Sequence, residues 1–286
     1  MRWQSSRRSD NVEDRRGMRP TRAAGLGGLG ILVVAGVALL LGADPSRVMH
    51  VLFQAQRNRS TSSSEPGPDA TAPGGYDEQA DFASAILAST EDAWTQQFAD
   101  LGRQYQPPQL VLFSEAIESA CGFSSSAAGP FYCPADSRVY LDLAFFDELD
   151  RRFGAPGDFA RAYVVAHEIG HHVQNLLGIS EEVRERQQGE TLATANELSV
   201  SLELHADCLA GVWAHYANAQ RQLLEPGDLE EGLRAAAAVG DDVLQRTTGR
   251  RVNPESWTHG SAEQRAQAFR RGLESGDPRS CGRMTS

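Results

Sequence analysis

The chain of 286 residues contains no lysine, and all 27 of its basic residues are arginine. Lysine-based chemistry, such as a protein Schiff base, is therefore excluded. Positive charge of any kind is in the minority. With 38 acidic residues the formal net charge is −11, so no nucleic-acid partner is expected. Cysteine is scarce as well. The four cysteines, Cys121, Cys133, Cys208 and Cys281, have no CxxC-type spacing, which speaks against a cysteine metal site.

Long apolar runs are few. One stretch, Gly25–Gly42, continues for 18 residues without a charge, near the lower limit for crossing a bilayer as a helix. Residues 1–24 hold seven arginines against Asp10, Glu13 and Asp14, and Asp44 follows the stretch. This asymmetry reads as a basic cytoplasmic tail (1–24) and a transmembrane helix (25–42), with the rest of the chain outside the cytoplasm. A cleaved signal peptide is the competing reading. The long basic region, and the lack of an obvious small-x-small site after Leu41, favour an anchor. All four cysteines fall beyond it, where disulfides form. Cys121 and Cys133 flank a Gly/Ser/Ala/Pro-rich loop and suit a local bridge, leaving Cys208 with Cys281; buried free thiols are the alternative.

Residues 43–77 are read as a disordered linker, because the stretch from Gln56 onward is rich in Ser, Pro, Gly and polar residues with little to bury. The folded domain is placed at 78–286. Apolar spacing predicts helices over 81–101, 159–177, 192–219, 228–247 and 261–273. Period-two alternation predicts strands at 109–113 and 138–143. The expectation is a mainly helical α+β domain with a small sheet.

Within the second of these helices, residues 164–172 read VVAHEIGHH. His167 and His171, at i and i+4, project from one helix face and can meet one zinc ion. Glu168 lies beside them without being a ligand, where it can take a proton from an activated water and return it to a leaving amine. A third ligand is needed. The pattern HExxHxxGxxH fails, because Gln174 and Leu177 stand where its glycine region and last histidine would be. On the next helix Glu203 and Asp207 share a face. Glu203 suits the metal, and Asp207 suits the outer nitrogen of a histidine ligand. His205 sits about 200° round that helix from Glu203 and is read as facing away, with a ligand role as the other possibility. Glu197 lacks the paired aspartate. His172 is turned about 100° from His171 and is read as lying outside the ligand set. His215 and His50 receive no role. His259, in WTHGSAEQR, is a candidate for stabilising an oxyanion, with a structural or capping histidine as the alternative. Tyr140 and Tyr163 are weaker candidates for the same task.

Several segments together carry a resemblance: MRW and SDNVEDRRG at the N-terminus, GPFYCPADSRVYLDLAFF at 129–146, AHEIGHHVQ at 166–174, ELHADCLAGVWA at 203–214, THG at 258–260 and RRGLESGDP at 270–278. In these the chain resembles the bacterial neutral zinc metallopeptidases along nearly its whole length. The resemblance implies a membrane-anchored zincin with two histidines and a glutamate as ligands, matching His167, His171 and Glu203. It departs from the family at His205, where glutamine is more common. The expected function is a zinc-dependent peptidase acting on peptide or protein substrates, single-pass in the cell membrane through residues 25–42, with Glu168 as general base. The alternative is a catalytically inactive, zinc-stabilised envelope protein that binds a partner.

Overall fold

Alternation along Gln109–Phe113 and Arg138–Asp142 sends Leu110, Leu112, Val139 and Leu141 to one side and Val111, Phe113 and Tyr140 to the other. A strand so patterned must be covered on both faces. The computed structural model, which describes residues 1–17, 77–249 and 251–282, shows how. Strand β1 (Val12–Asp14) is followed by helix α1 (Glu78–Asp100), β2 (Gln109–Phe113), β3 (Ala116–Ser119), β4 (Gly122–Ser125), β5 (Phe131–Cys133) and β6 (Arg138–Asp142). Then come helices α2 (Ala144–Arg151), α3 (Asp158–Leu177), α4 (Ile179–Gln187), α5 (Leu192–Arg221), α6 (Asp228–Ala238), α7 (Asp241–Thr247) and α8 (Ala262–Ser275). Among the described residues this is mainly helical with a small sheet, as expected.

The larger sheet has the order β1-β2-β6-β5. Its first two pairings are parallel, and β5 lies antiparallel on β6. One face packs into the main helical core. The other makes a small cluster of Val111, Phe113, Cys133 and Tyr140, with Phe131 stacked on Tyr140 at 4.8 Å. Strands β3 and β4 form a separate hairpin. The disulfide Cys121–Cys133 ties that hairpin to β5, and Cys208–Cys281 ties α5 to the chain's last described turn. Both pairings agree with the spacing argument.

The N-terminal residues require a correction. Read as a tail over 1–24, the segment 1–17 is part of the same folded unit as the domain. Trp3 is buried with its ring edge-on to Phe82 at 5.2 Å, and β1 forms one edge of the sheet. Two of the arginines counted as cytoplasmic charge serve the fold. Arg7 pairs with Glu91 and Asp92, and Arg8 pairs with Asp81. The Met1 ammonium lies 2.9 Å from Asp158 and 3.4 Å from Asp228, inside the acidic cluster those residues form with Glu231. A single bilayer crossing between residues 24 and 43 would put β1 and β2 on opposite faces. Neighbouring strands of one sheet cannot be so separated. The 25–42 stretch and the linker up to residue 76 lie outside the described residues. Among those described, no helix is long and apolar enough to cross a membrane.

One predicted helix is two. The stretch 228–247 breaks at Gly240, where a Cβ would stand 2.3 Å from the backbone nitrogen of Ala262. The break turns the chain so that the Asp241 amide donates to the Gly260 carbonyl at 2.8 Å. Strands β1, β3, β4 and β5 and helices α2 and α4 are too short or weakly patterned to be marked by periodicity.

Candidate metal centre

The site begins with how α3 is fixed. Its first turn carries Asp158, held by the Met1 ammonium, and its Phe159 amide donates to Glu231 of α6 at 3.2 Å. The glycine of HEIGH then decides how near α5 can come. A Cβ at Gly170 would stand 2.9 Å from the Ala206 carbonyl oxygen and 3.1 Å from its Cα. Only a glycine there lets the two helix backbones touch, bringing Glu203 and Asp207 over His167 and His171.

At that crossing the Nε2 atoms of His167 and His171 are 3.2 Å apart. Glu203 places Oε2 at 3.2 Å from the first and Oε1 at 3.3 Å from the second. Three ligand atoms about 2.0–2.1 Å from one zinc ion at tetrahedral angles would stand about 3.3–3.4 Å apart. The two nitrogens stand near that spacing, each has one oxygen of the Glu203 carboxylate near it as well, and the donor set fits such an ion in its chemistry. Glu168, on the same helix, lines the adjoining cleft of about 1020 Å³ with Val164, His259 and Arg265.

Both imidazoles are held from behind. His167 Nδ1 donates to Asp207 Oδ1 at 2.9 Å, and His171 Nδ1 donates to Gln174 Oε1 at 3.0 Å. With Nδ1 so engaged, each ring turns Nε2 to the common centre. Gln174 is itself oriented, its amide donating to the Leu202 carbonyl at 2.7 Å and to His205 Nδ1 at 3.2 Å. Asp207 is fully buried and also accepts from the Tyr163 hydroxyl and from Arg265.

The electrostatics follow from this crowding. Burial pushes both imidazoles towards the neutral form, but the carboxylates outweigh it. Asp207 and Glu203 raise His167 to about 10, and Glu203 raises His171. Burial would raise Glu203, yet His171 and His167 hold it well below the usual carboxylate range. Asp207 is lowered too, against its burial, by Arg265 and His167. The site is a negative pocket that favours a cation.

The remaining sequence candidates separate cleanly. His259 lines the cleft, at the end of a loop whose Thr258, His259 and Gly260 amides all donate to Asp241 Oδ2, at 2.8, 2.6 and 3.0 Å. Its ring Nδ1 lies 3.3 Å from Asp241 Oδ1. His205 is buried away from the three-ligand cluster, and burial, with the charge of His171, pushes its imidazole down to about 4. His172 is spent elsewhere. Its Nε2 donates to the Gln106 carbonyl at 2.7 Å, its Nδ1 accepts from Tyr132, and burial lowers it to about 4. His215 Nδ1 donates to the Leu273 carbonyl at 2.8 Å, and Glu197 is exposed. Tyr140 donates to Asp136 at 2.8 Å in the small sheet cluster. Tyr163 reaches the site, but its hydroxyl is committed to Asp207. His50 lies outside the described residues.

Sequence reasoning missed Gln174, Asp241 and Arg265. Arg265 left a signal. It occupies the buried stripe of α8 with Ala268, Phe269 and Gly272, at i, i+3, i+4 and i+7. A charged residue on a core-facing stripe demands a buried partner.

The chain is 49% identical over 292 residues to the uncharacterized protein YpfJ of Escherichia coli K12, covering 98% of each chain. It is 42% identical over 259 residues to the uncharacterized proteins Mb2605 of Mycobacterium bovis and Rv2575 of Mycobacterium tuberculosis, covering 85% of this chain and 84% of each of theirs. No solved structure matches it. A family model described as "Putative neutral zinc metallopeptidase" matches residues 1–284. Whole-length agreement of this kind, on a chain whose HExxH helix meets a glutamate and its aspartate partner, places the protein in that zinc metallopeptidase family.

Proposed function

We propose that the protein is a zinc-dependent peptidase in which His167, His171 and Glu203 hold the metal and Glu168 is the general base. The observation that carries this reading is the 3.2 Å approach of the two Nε2 atoms, each with an oxygen of the Glu203 carboxylate at 3.2–3.3 Å, beside a cleft that contains Glu168. Zinc, when held there, supplies Lewis acidity that lowers the pKa of a water and polarises a carbonyl. The chain's own residues do the rest. Glu168 accepts the proton of the attacking water and delivers it to the departing nitrogen. His259, fixed by Asp241 at the cleft wall, donates to the oxyanion of the tetrahedral intermediate. Asp207 and Gln174 keep the ligand rings in register throughout. The substrate is a peptide or protein, and no nucleic-acid partner is proposed.

A catalytically inactive zinc-stabilised binding protein would have no use for a base in an open cleft, so the peptidase reading is preferred. Residues 25–42 are the proposed point of contact with a membrane. The folded unit, β1 included, lies on one face, in an oxidising compartment where its two disulfides persist. The test is Glu168→Gln. This variant should keep its zinc and lose about 10²–10⁴-fold in peptide hydrolysis. Full turnover in this variant would remove Glu168 from the mechanism.

A further inference from the structure

Arg265 is 3% exposed, and a guanidinium is placed in a protein interior only where its donors are matched. Its two shortest bonds go to one carboxylate, while Nη1 donates to the Val239 carbonyl at 3.4 Å. Nε donates to Asp207 Oδ2 at 2.8 Å and Nη2 to Asp207 Oδ1 at 3.0 Å. Nη2 also lies 3.3 Å from the Tyr163 hydroxyl oxygen, which in turn donates to Asp207. Tyr163 sits one turn before His167 on α3, so Tyr163, Asp207, Arg265 and His167 close a ring of contacts across three helices.

Charge alone does not account for this arrangement. Nη2 of Arg265 is 3.9 Å from Glu203 Oε2, so its positive charge opposes a metal cation at the same centre. What the fork supplies is geometry. A bidentate contact fixes the plane of the Asp207 carboxylate, and with it the oxygen that receives His167 Nδ1. The platform is stiff. Helices α5 and α8 touch through glycines, since a Cβ at Gly272 would stand 1.9 Å from the Cys208 carbonyl oxygen and one at Gly211 would stand 2.0 Å from that of Phe269. The Cys208–Cys281 disulfide closes the same junction.

We infer that Arg265 is a positioning residue for the metal ligand His167, acting through the Asp207 carboxylate by its bidentate shape rather than by its charge. The inference rests on the zinc reading of the site. Arg265→Lys, which keeps the charge and loses the fork, tests it in the full-length protein. Zinc affinity is measured by chelator competition, beside the visible spectrum of the cobalt-substituted protein and the unfolding midpoint. The expected result is a zinc affinity about 10-fold or more weaker, with an altered cobalt spectrum. In an Asp207→Asn background the same change should have little further effect, since the path to His167 is already cut. A lower midpoint with zinc affinity within about 2-fold of wild type would show that Arg265 only braces the helices, and would overturn the inference alone. A wild type that binds no zinc would overturn the site reading and this inference with it.

Discussion

The two histidines pushed down to about 4, His172 and His205, make acid stability a measurable property of the region around the HExxH helix. Each is neutral in the fold, and each has an ordinary value of about 6.5 once unfolded. For a base whose folded pKa is depressed, stability is complete above the unfolded value and is lost as pH falls towards the folded one. Between about pH 6.5 and 4 the unfolded chain takes up a proton at each histidine that the native protein refuses, at a cost of about 3 kcal/mol per histidine. The other groups at the site leave that window clear. His167 and His171, with raised pKa values, contribute stability that is already complete below about 6.5. Glu203 and Asp207, with lowered values, give up theirs only below about 4.5. Urea unfolding of EDTA-treated protein should therefore show stability falling by about 2.5 kcal/mol per pH unit near pH 5. His205→Gln keeps an acceptor for Gln174 and removes one titrating group, so its slope should be about half as steep. A flat wild-type profile from pH 6.5 to 4.5, or equal slopes in wild type and His205→Gln, would refute the reasoning.

Gly170→Ala puts a methyl group 2.9 Å from the Ala206 carbonyl oxygen, so α3 and α5 must part. We expect a cost of about 1–3 kcal/mol in urea unfolding together with weaker zinc binding; an unchanged midpoint and zinc affinity would refute the role of this contact. Trp3→Ala deletes a buried ring packed on Phe82 and should cost about 3–5 kcal/mol by thermal or urea unfolding; an unchanged midpoint would mean that residues 1–17 do not belong to the folded unit. Since β1 and β2 share a sheet, single cysteines placed at exposed Gln4 and exposed Leu192 should be labelled from the same side of the membrane in intact cells. Labelling from opposite sides would separate the strands and restore the single-crossing topology.

Short-range physics made part of this molecule legible in its sequence. Two histidines four residues apart on an apolar stretch share a helix face whatever surrounds them, and Glu203 and Asp207 do so for the same reason. Period-two alternation marked β2 and β6, and cysteine spacing marked both disulfides. The tertiary structure decided what depends on distant partners. The N-terminal arginines have the composition of a membrane-flanking tail, and only their docking to α1 reveals that Arg7 and Arg8 answer carboxylates more than 70 residues away. Helix α6 parts from α7 because Gly240 meets Ala262 from a later segment, a contact that no local pattern announces. Gln174 and Asp241 are ordinary polar residues until His171 and His259 arrive beside them. The fork of Arg265 likewise acquires its meaning only when two glycine crossings carry α8 onto Asp207, because a buried charge is explained by the partner that pays for its burial, and that partner lies 58 residues away.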